Sequence, residues 1–284
     1  MKKIKHILFP TDLTVSSQQA FQFTLLMADK LGADLEVLHV VAPEYEGMDI
    51  PVMAAKATQK RVEVAREILE GFIDTSVELI ADELQHTANI STDIELGGAK
   101  SSILSIAQRD QPDLIVMPTH DDHPLLEKWL GTVTASIVST APCHVLVLPE
   151  NNIPRQLNTL AYATDLKETD SYHIWEVSKL LEPYHPIMRC VHWQSDRGQT
   201  KPIDMSDLEN FFADNVPALQ INFHQLSGAD LADSLNEFTD TWAVDLLVMS
   251  SPYRGFWERL FHASQTRKMA LKTKVPLLIV REEG

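Results

Sequence analysis

A chain of 284 residues, 44% hydrophobic and 23% charged, has the composition of an ordinary folded protein and is long enough for two domains. Its 24 Lys and Arg against 40 Asp and Glu leave a net charge of −16, a field that repels phosphate and argues against nucleic-acid or anionic-membrane binding. The charge is uneven: residues 1–150 hold 11 Lys and Arg against 22 Asp and Glu, and 11 − 22 = −11 leaves −5 for the remainder.

In chain order, the first half alternates strand and helix. Ile4 to Pro10 reads as a strand, Thr11-Asp-Leu-Thr14 as a turn with capping residues, and Ser16 to Leu31 as a helix whose apolar face is Ala20, Phe21, Phe23, Thr24, Met27, Ala28 and Leu31. Gly32 ends it. Asp34 to Val41 is a second strand, followed by an acidic loop between Pro43 and Pro51. From Val52 to about Ala88 a long helical pattern holds Val64, Ile68, Phe72, Ile73, Val77, Ile80 and Leu84, with a break expected near Asp74-Thr-Ser76. Thr92 to Leu96 is a short strand, and Gly97-Gly98 introduces a helix with Ile103, Leu104 and Ala107 apolar. Asp113 to Met117 reads as a buried strand stopped by Pro118. A polar loop, Thr119-His-Asp-Asp-His-Pro124, leads to an amphipathic helix through Trp129, Val133, Ile137 and Val138, and Cys143 to Leu148 closes the unit as a fifth strand. Strands alternating with helices imply a doubly wound parallel α/β sheet, with ligands expected at the strands' carboxyl ends.

The pattern then repeats. Leu160-Ala-Tyr-Ala-Thr-Asp165 answers Ile7-Leu-Phe-Pro-Thr-Asp12, and His192 answers His39, at one offset: 165 − 12 = 153 and 192 − 39 = 153. Asp245-Leu-Leu-Val-Met249 answers Asp113-Leu-Ile-Val-Met117 at 245 − 113 = 132, so the second copy has lost about twenty residues, mostly from the long helix. Asn151 to Arg155 is the expected linker, with domains at 1–150 and 155–284.

These paired motifs resemble the universal stress protein family: a first strand ending in Pro/Thr-Asp, a second ending in His-Val, an Asp-Leu-Ile-Val-Met fourth strand and an Ala-Pro-Cys-x-Val-Leu-Val last strand. The resemblance covers both halves and implies two five-stranded, Rossmann-like domains of the adenine nucleotide alpha hydrolase type, packed as a pseudo-dimer within one chain, with a homodimer as a further state. It also implies an ATP question, because the family divides on a Gly-x2-Gly-x9-Gly-Ser/Thr loop after the fourth strand. Such glycines let backbone amides approach phosphates. Here the register puts Pro118 and Asp121 at the first two glycine positions and Gly131-Thr132 at the third; the second copy has Ser250, Tyr253 and Ala263-Ser264. The positions that would line a nucleotide or other small-ligand site are Pro10, Thr11, Asp12, Val40, Val41, Pro118, Thr119, His120, Gly131, Thr132 and Val133, with Thr164, Asp165, Ser250 and Ser264 in the second copy. A Thr-Asp at a strand end is also an ordinary helix-capping sequence.

Other chemistry has less to stand on. His120-Asp-Asp-His123 has metal-ligating side chains, making His120 and His123 candidate ligands, although a solvated polar loop is the ordinary reading. His39 and His192 read as hydrogen-bonded structural histidines. Cys143 and Cys190 fall in apolar strands and read as buried thiols. The basic residues Arg254, Arg259, Arg267, Lys268, Lys272 and Lys274 read as a solvated helix face, with Phe256, Trp257 and Phe261 packing between them. No Gly-x-Ser-x-Gly elbow, phosphate-loop Gly-Lys-Ser/Thr or early Gly-x-Gly-x-x-Gly occurs, so a catalytic role is not expected. No run is apolar enough to span a bilayer, and Met1-Lys-Lys-Ile-Lys-His6 enters a strand rather than a leader, so a cytoplasmic location is expected. The reading is a non-catalytic stress-response interaction or scaffold module with degenerate ATP loops; the alternative is an ATP, AMP or small-ligand sensor in the first copy.

Overall fold

The structure, a computed structural model, describes residues 3–42, 51–86, 88–119, 132–164, 166–194, 204–216, 218–228, 231–251 and 274–281. The chain divides into two compact units, drawn chiefly from residues 4–145 and 146–284.

In the first half of the chain, β1 (His6–Thr11), α1 (Val15–Leu31), β2 (Asp34–Val41), α2 (Pro51–Ile80), β3 (Ile90–Leu96), α3 (Ala99–Asp110), β4 (Leu114–Pro118), α4 (Thr132–Thr140) and β5 (His144–Leu148), at the boundary between the units, follow in order. The strands lie side by side as β3-β2-β1-β4-β5. The second holds β6 (Thr159–Ala163), α5 (Asp170–Leu180), β7 (Ile187–Gln194), α6 (Met205–Asn215), β8 (Ile221–Ser227), α7 (Leu231–Thr241), β9 (Leu246–Ser251) and β10 (Leu277–Arg281), ordered β10-β9-β6-β7-β8. Both are mixed α/β units on parallel pairings. The central strands are buried on both faces, which is why they read as unbroken apolar runs: Ile7, Leu8, Phe9, Leu35, Val37, Leu38, Ile115 and Val116 are all fully buried.

Local chemistry explains the helices. In α1 the predicted face is buried except at Leu31, Thr24 satisfies its hydroxyl on the Ala20 carbonyl at 2.7 Å, and Gly32 closes the helix at φ 64° with its N–H on the Ala28 and Asp29 carbonyls. The break expected near Asp74–Ser76 is absent: α2 runs through to Ile80. Ser76, fully buried, donates to the Phe72 carbonyl at 2.6 Å, so a residue that reads as a breaker is satisfied inside the helix. The helix stops instead where Asp29 captures the chain, its carboxylate accepting from Gln85 N at 3.0 Å and His86 N at 2.7 Å after a 3-10 turn at Ala81–Glu83. The buried stripe of α2 is also displaced, running through Ala65, Leu69, Ile73, Ser76 and Ile80, while Val64 and Ile68 face solvent.

Three smaller corrections concern strand ends. Pro118 is the last residue of β4 rather than the stop after it, β3 starts two residues before Thr92, and Cys143 lies just ahead of β5, half-buried. Cys190 sits in β7 as expected, fully buried, and burial, helped by Asp170, pushes its thiol well above the ordinary range.

Each domain is pinned by an aspartate ahead of its fourth strand. Asp113 Oδ2 accepts from the Lys5 and His6 amides at 2.8 and 3.1 Å; Asp245 Oδ2 accepts from the Asn158 and Thr159 amides at 2.7 and 2.9 Å. The two sets stand at the repeat's own offsets, 158 − 5 = 153 and 245 − 113 = 132, so the duplication is visible in individual bonds. Among the described residues no helix is long and apolar enough to cross a membrane.

Candidate functional site

The carboxyl end of β1 is where the predicted first-copy residues meet. Thr11 ends the strand, and its Oγ1 accepts the Leu13 amide at 3.0 Å, which turns the chain through a left-handed residue, Leu13 at φ 65°. His39, at the matching level of β2, puts Nδ1 2.9 Å from the Thr11 carbonyl. That is the structural role expected of it. Asp12 then braces the helix that follows: Oδ1 accepts from Thr14 N at 3.1 Å, Thr14 Oγ1 at 2.8 Å and Ser17 Oγ at 2.6 Å. The N-cap itself is Thr14, whose Oγ1 accepts the Ser17 amide at 3.3 Å. The sequence signal for capping was real, but it belonged to the residue two places on.

Val40 and Val41 end β2, half-buried and buried, and the Gly97 amide donates to the Val41 carbonyl at 3.1 Å, which brings the start of α3 to the same rim. Pro118 and Thr119 are half-buried at the end of β4, α4 is described from Thr132, and Val133 is half-buried within it. His120, His123, Gly131, Asp165 and Ser264 lie outside the described residues.

Pro10 has a consequence that its place in the motif did not announce. Backbone groups of successive strand residues face opposite neighbours. The His6 carbonyl accepts from Asp113 N on the β4 side, so Leu8 and Pro10 face β4 as well. Proline has no N–H for the next rung, and the β1–β4 ladder holds only Ile7↔Leu114 and Leu8↔Ile115. In the second domain the equivalent residue is Ala163, since 10 + 153 = 163, and the β6–β9 ladder runs four pairs, Leu160↔Leu246 to Ala163↔Met249. The switch point between first and fourth strands is therefore unzipped in one domain and closed in the other.

The second corner repeats the backbone and changes the side chains. Leu166 is left-handed at φ 57°, its amide donates to Thr164 Oγ1 at 2.9 Å, and His192 Nδ1 lies 2.9 Å from the Thr164 carbonyl. The hydroxyl of Thr164 donates to Asp170 Oδ2, which also accepts the Lys167 amide at 3.1 Å. Asp170, 2% exposed, stands where the first domain has Ser17, because 17 + 153 = 170. Trp193 and Gln194 replace Val40 and Val41, and the Trp193 indole N–H is buried without a hydrogen-bond partner. Sequence reading passed over both Asp170 and Trp193, although the 153-residue offset would have found them. Ser250 is half-buried in β9.

Comparison with known proteins bears on what this arrangement is. A family model described as the universal stress protein family matches residues 3–149 and 218–281. A Staphylococcus aureus (strain USA300) protein named as a universal stress protein is 27% identical over 166 residues, which cover 58% of this chain and 95% of that one. Two solved structures share the fold across nearly the whole chain. A universal stress protein from Archaeoglobus fulgidus has a TM-score of 0.72 at 15% identity, covering 99% of this chain and 97% of its own. One from Pseudomonas aeruginosa has 0.59 at 14% identity, covering 98% and 93%.

Proposed function

Because the chain belongs to the universal stress protein family, as a tandem of two such domains, we propose that it serves the stress response as a non-catalytic interaction module whose nucleotide loops have decayed. The observation that carries this reading is the Asp12 carboxylate. The resemblance drawn from sequence places this residue among those that would line a nucleotide site, yet its Oδ1 accepts three donors from its own turn, Thr14 N, Thr14 Oγ1 and Ser17 Oγ. A ligand would have to compete with bonds already made, each worth about 1 kcal/mol. Pro118 at the first glycine position has no amide to offer a phosphate, and Trp193 puts an indole where the first domain has Val40. The proposal includes domains at 1–150 and 155–284, paired within one chain, and a cytoplasmic location.

A second reading has its own support. The two-pair ladder between β1 and β4 leaves the first domain's switch point unzipped, with Val40 and Val41 one strand away at the end of β2, and this end of the sheet is the place where an ATP, AMP or other small-ligand sensor would bind. Calorimetric titration of EDTA-stripped protein with ATP, with and without magnesium, separates the two. No heat and no thermal shift at millimolar ATP is the expected result. Micromolar binding that disappears in Asp12→Ala would replace the interaction reading with the sensor reading.

A further inference from the structure

The second domain holds a cation that, among the described residues, has no carboxylate partner. Arg189, third residue of β7, lays its guanidinium over the Trp242 indole, Cζ 3.9 Å from the ring centroid. Its Nη1 is 3.4 Å from His224 Nε2 on β8, and its Nε is buried with no hydrogen-bond partner. His224 is wedged between the rings of Phe238 and Trp242, at 5.1 and 5.0 Å. Burial first, and the Arg189 charge second, hold this imidazole below its ordinary range, so the ring is neutral at neutral pH. A neutral ring accepting from Nη1 at Nε2 carries its proton on Nδ1. Among the described residues the cluster is thus rich in donors and holds no acid.

The duplication shows that this is specific to the second domain. Arg189 stands where the first domain has Glu36, since 36 + 153 = 189. Glu36 faces Ser91 as Arg189 faces Asn222, so His224 answers Asp93 at 222 − 91 = 131, and Trp242 answers Asp110 at 132. In the first domain those carboxylates are engaged. Glu36 is 3.0 Å from His6 Nε2, while Arg109 spans Asp93 at 3.1 Å and Asp110 at 2.7 Å. All three acidic positions have become a guanidinium, an imidazole and an indole.

We infer that Arg189, His224 and Trp242 form a binding site for an oxyanion, a carboxylate or a phosphate group, in the second domain. A guanidinium fixed against an indole has its planar donor fork already oriented, which suits two-point recognition of such groups. The buried Nε donor lacks the acceptor that an oxyanion oxygen would supply. Trp242 remains 40% exposed, so the stack is reachable from solvent. The site lies toward the amino end of β7, away from the strands' carboxyl ends where a nucleotide would sit.

The test follows the Arg189 Nε–Hε and Trp242 indole N–H resonances in the full-length 15N-labelled protein during titration with inorganic phosphate and, separately, acetate, at ionic strength held constant with chloride; the indole reports where Arg189 is replaced, and the guanidinium where Trp242 is. A saturable shift in the millimolar range is expected, about tenfold weaker or more in Arg189→Gln and intermediate in Arg189→Lys. Tighter phosphate identifies a phosphate-bearing ligand, and tighter acetate a carboxylate. Arg109, already engaged by acids, supplies an internal control whose resonance should not move. If Arg189→Gln fails to fold, Trp242→Phe carries the test, with weakening of a few-fold expected. A linear response, a shift shared by Arg109, or equal affinity in the variants would overturn the assignment.

Discussion

The corners at the ends of β1 and β6 share a backbone and differ at the position of Ser17, which the second corner fills with the buried Asp170. Both turn through a left-handed leucine held by a threonine hydroxyl, and both receive a histidine Nδ1 on the same carbonyl at 2.9 Å. In the first, the exposed Asp12 accepts the turn's donors; in the second, among the described residues, the buried Asp170 at the opening of α5 accepts from the Thr164 hydroxyl and the Lys167 amide. The difference teaches that an acceptor near the helix start can be supplied from more than one position, since any oxygen within reach of the free amides there will serve. The geometry was retained and the chemistry was free to move.

The largest test of this comparison removes each acid. Asp170→Ala strands the Thr164 hydroxyl and the Lys167 amide beneath the surface and should cost about 3 kcal/mol in denaturant unfolding, whereas Asp12→Ala, at an exposed turn, should cost about 1 kcal/mol. Equal losses would mean the two corners are equivalent after all. Next in size are Asp113→Ala and Asp245→Ala. Each removes an acceptor shared by two strand amides, so each should cost about 2 kcal/mol, and the two values should agree within about 0.5 kcal/mol.

Histidine titration gives a smaller contrast with opposite signs. The hydrogen bond to Glu36, working against burial, raises His6 above the ordinary imidazole range. Its contribution to stability is full below the unfolded value of about 6.5 and is lost as pH rises through the folded value. His224, lowered by burial and by Arg189, contributes fully above about 6.5 and loses that contribution as pH falls. Ring-proton titrations by NMR should place the two on opposite sides of the free-histidine value, and His6→Gln should flatten the first curve only. The smallest effect concerns Pro10. Pro10→Ala restores the amide that faces β4, and hydrogen exchange should protect it as it protects Ala163. Fast exchange at residue 10 would mean that something other than the missing N–H keeps the ladder short.

Much of the fold was legible because burial on both faces writes parallel strands as apolar runs, and because the repeat's offset carries every assignment twice. β2 was read with both ends correct, and Gly32 announced its left-handed cap. The site was less legible. Asp12 was found as a residue but its engagement with Thr14 and Ser17 was not, since a Thr-Asp strand end is compatible with both capping and ligand reading. Asp74–Ser76 looked like a break because propensity ignores a serine that bonds back to its own helix.

The sequence alone determined the family, the duplication and the identity of the elements, all of which depend on periodic burial and on local signals that survive within a few residues. Only the tertiary structure decided that Asp12 and Asp170 bond the turns beside them, that Pro10 faces β4 rather than β2, and that Arg189, His224 and Trp242 meet although 242 − 189 = 53 residues separate the outer two. Those outcomes turn on strand register and on which side of a strand each polar group emerges, and a single-residue difference there reverses the partner.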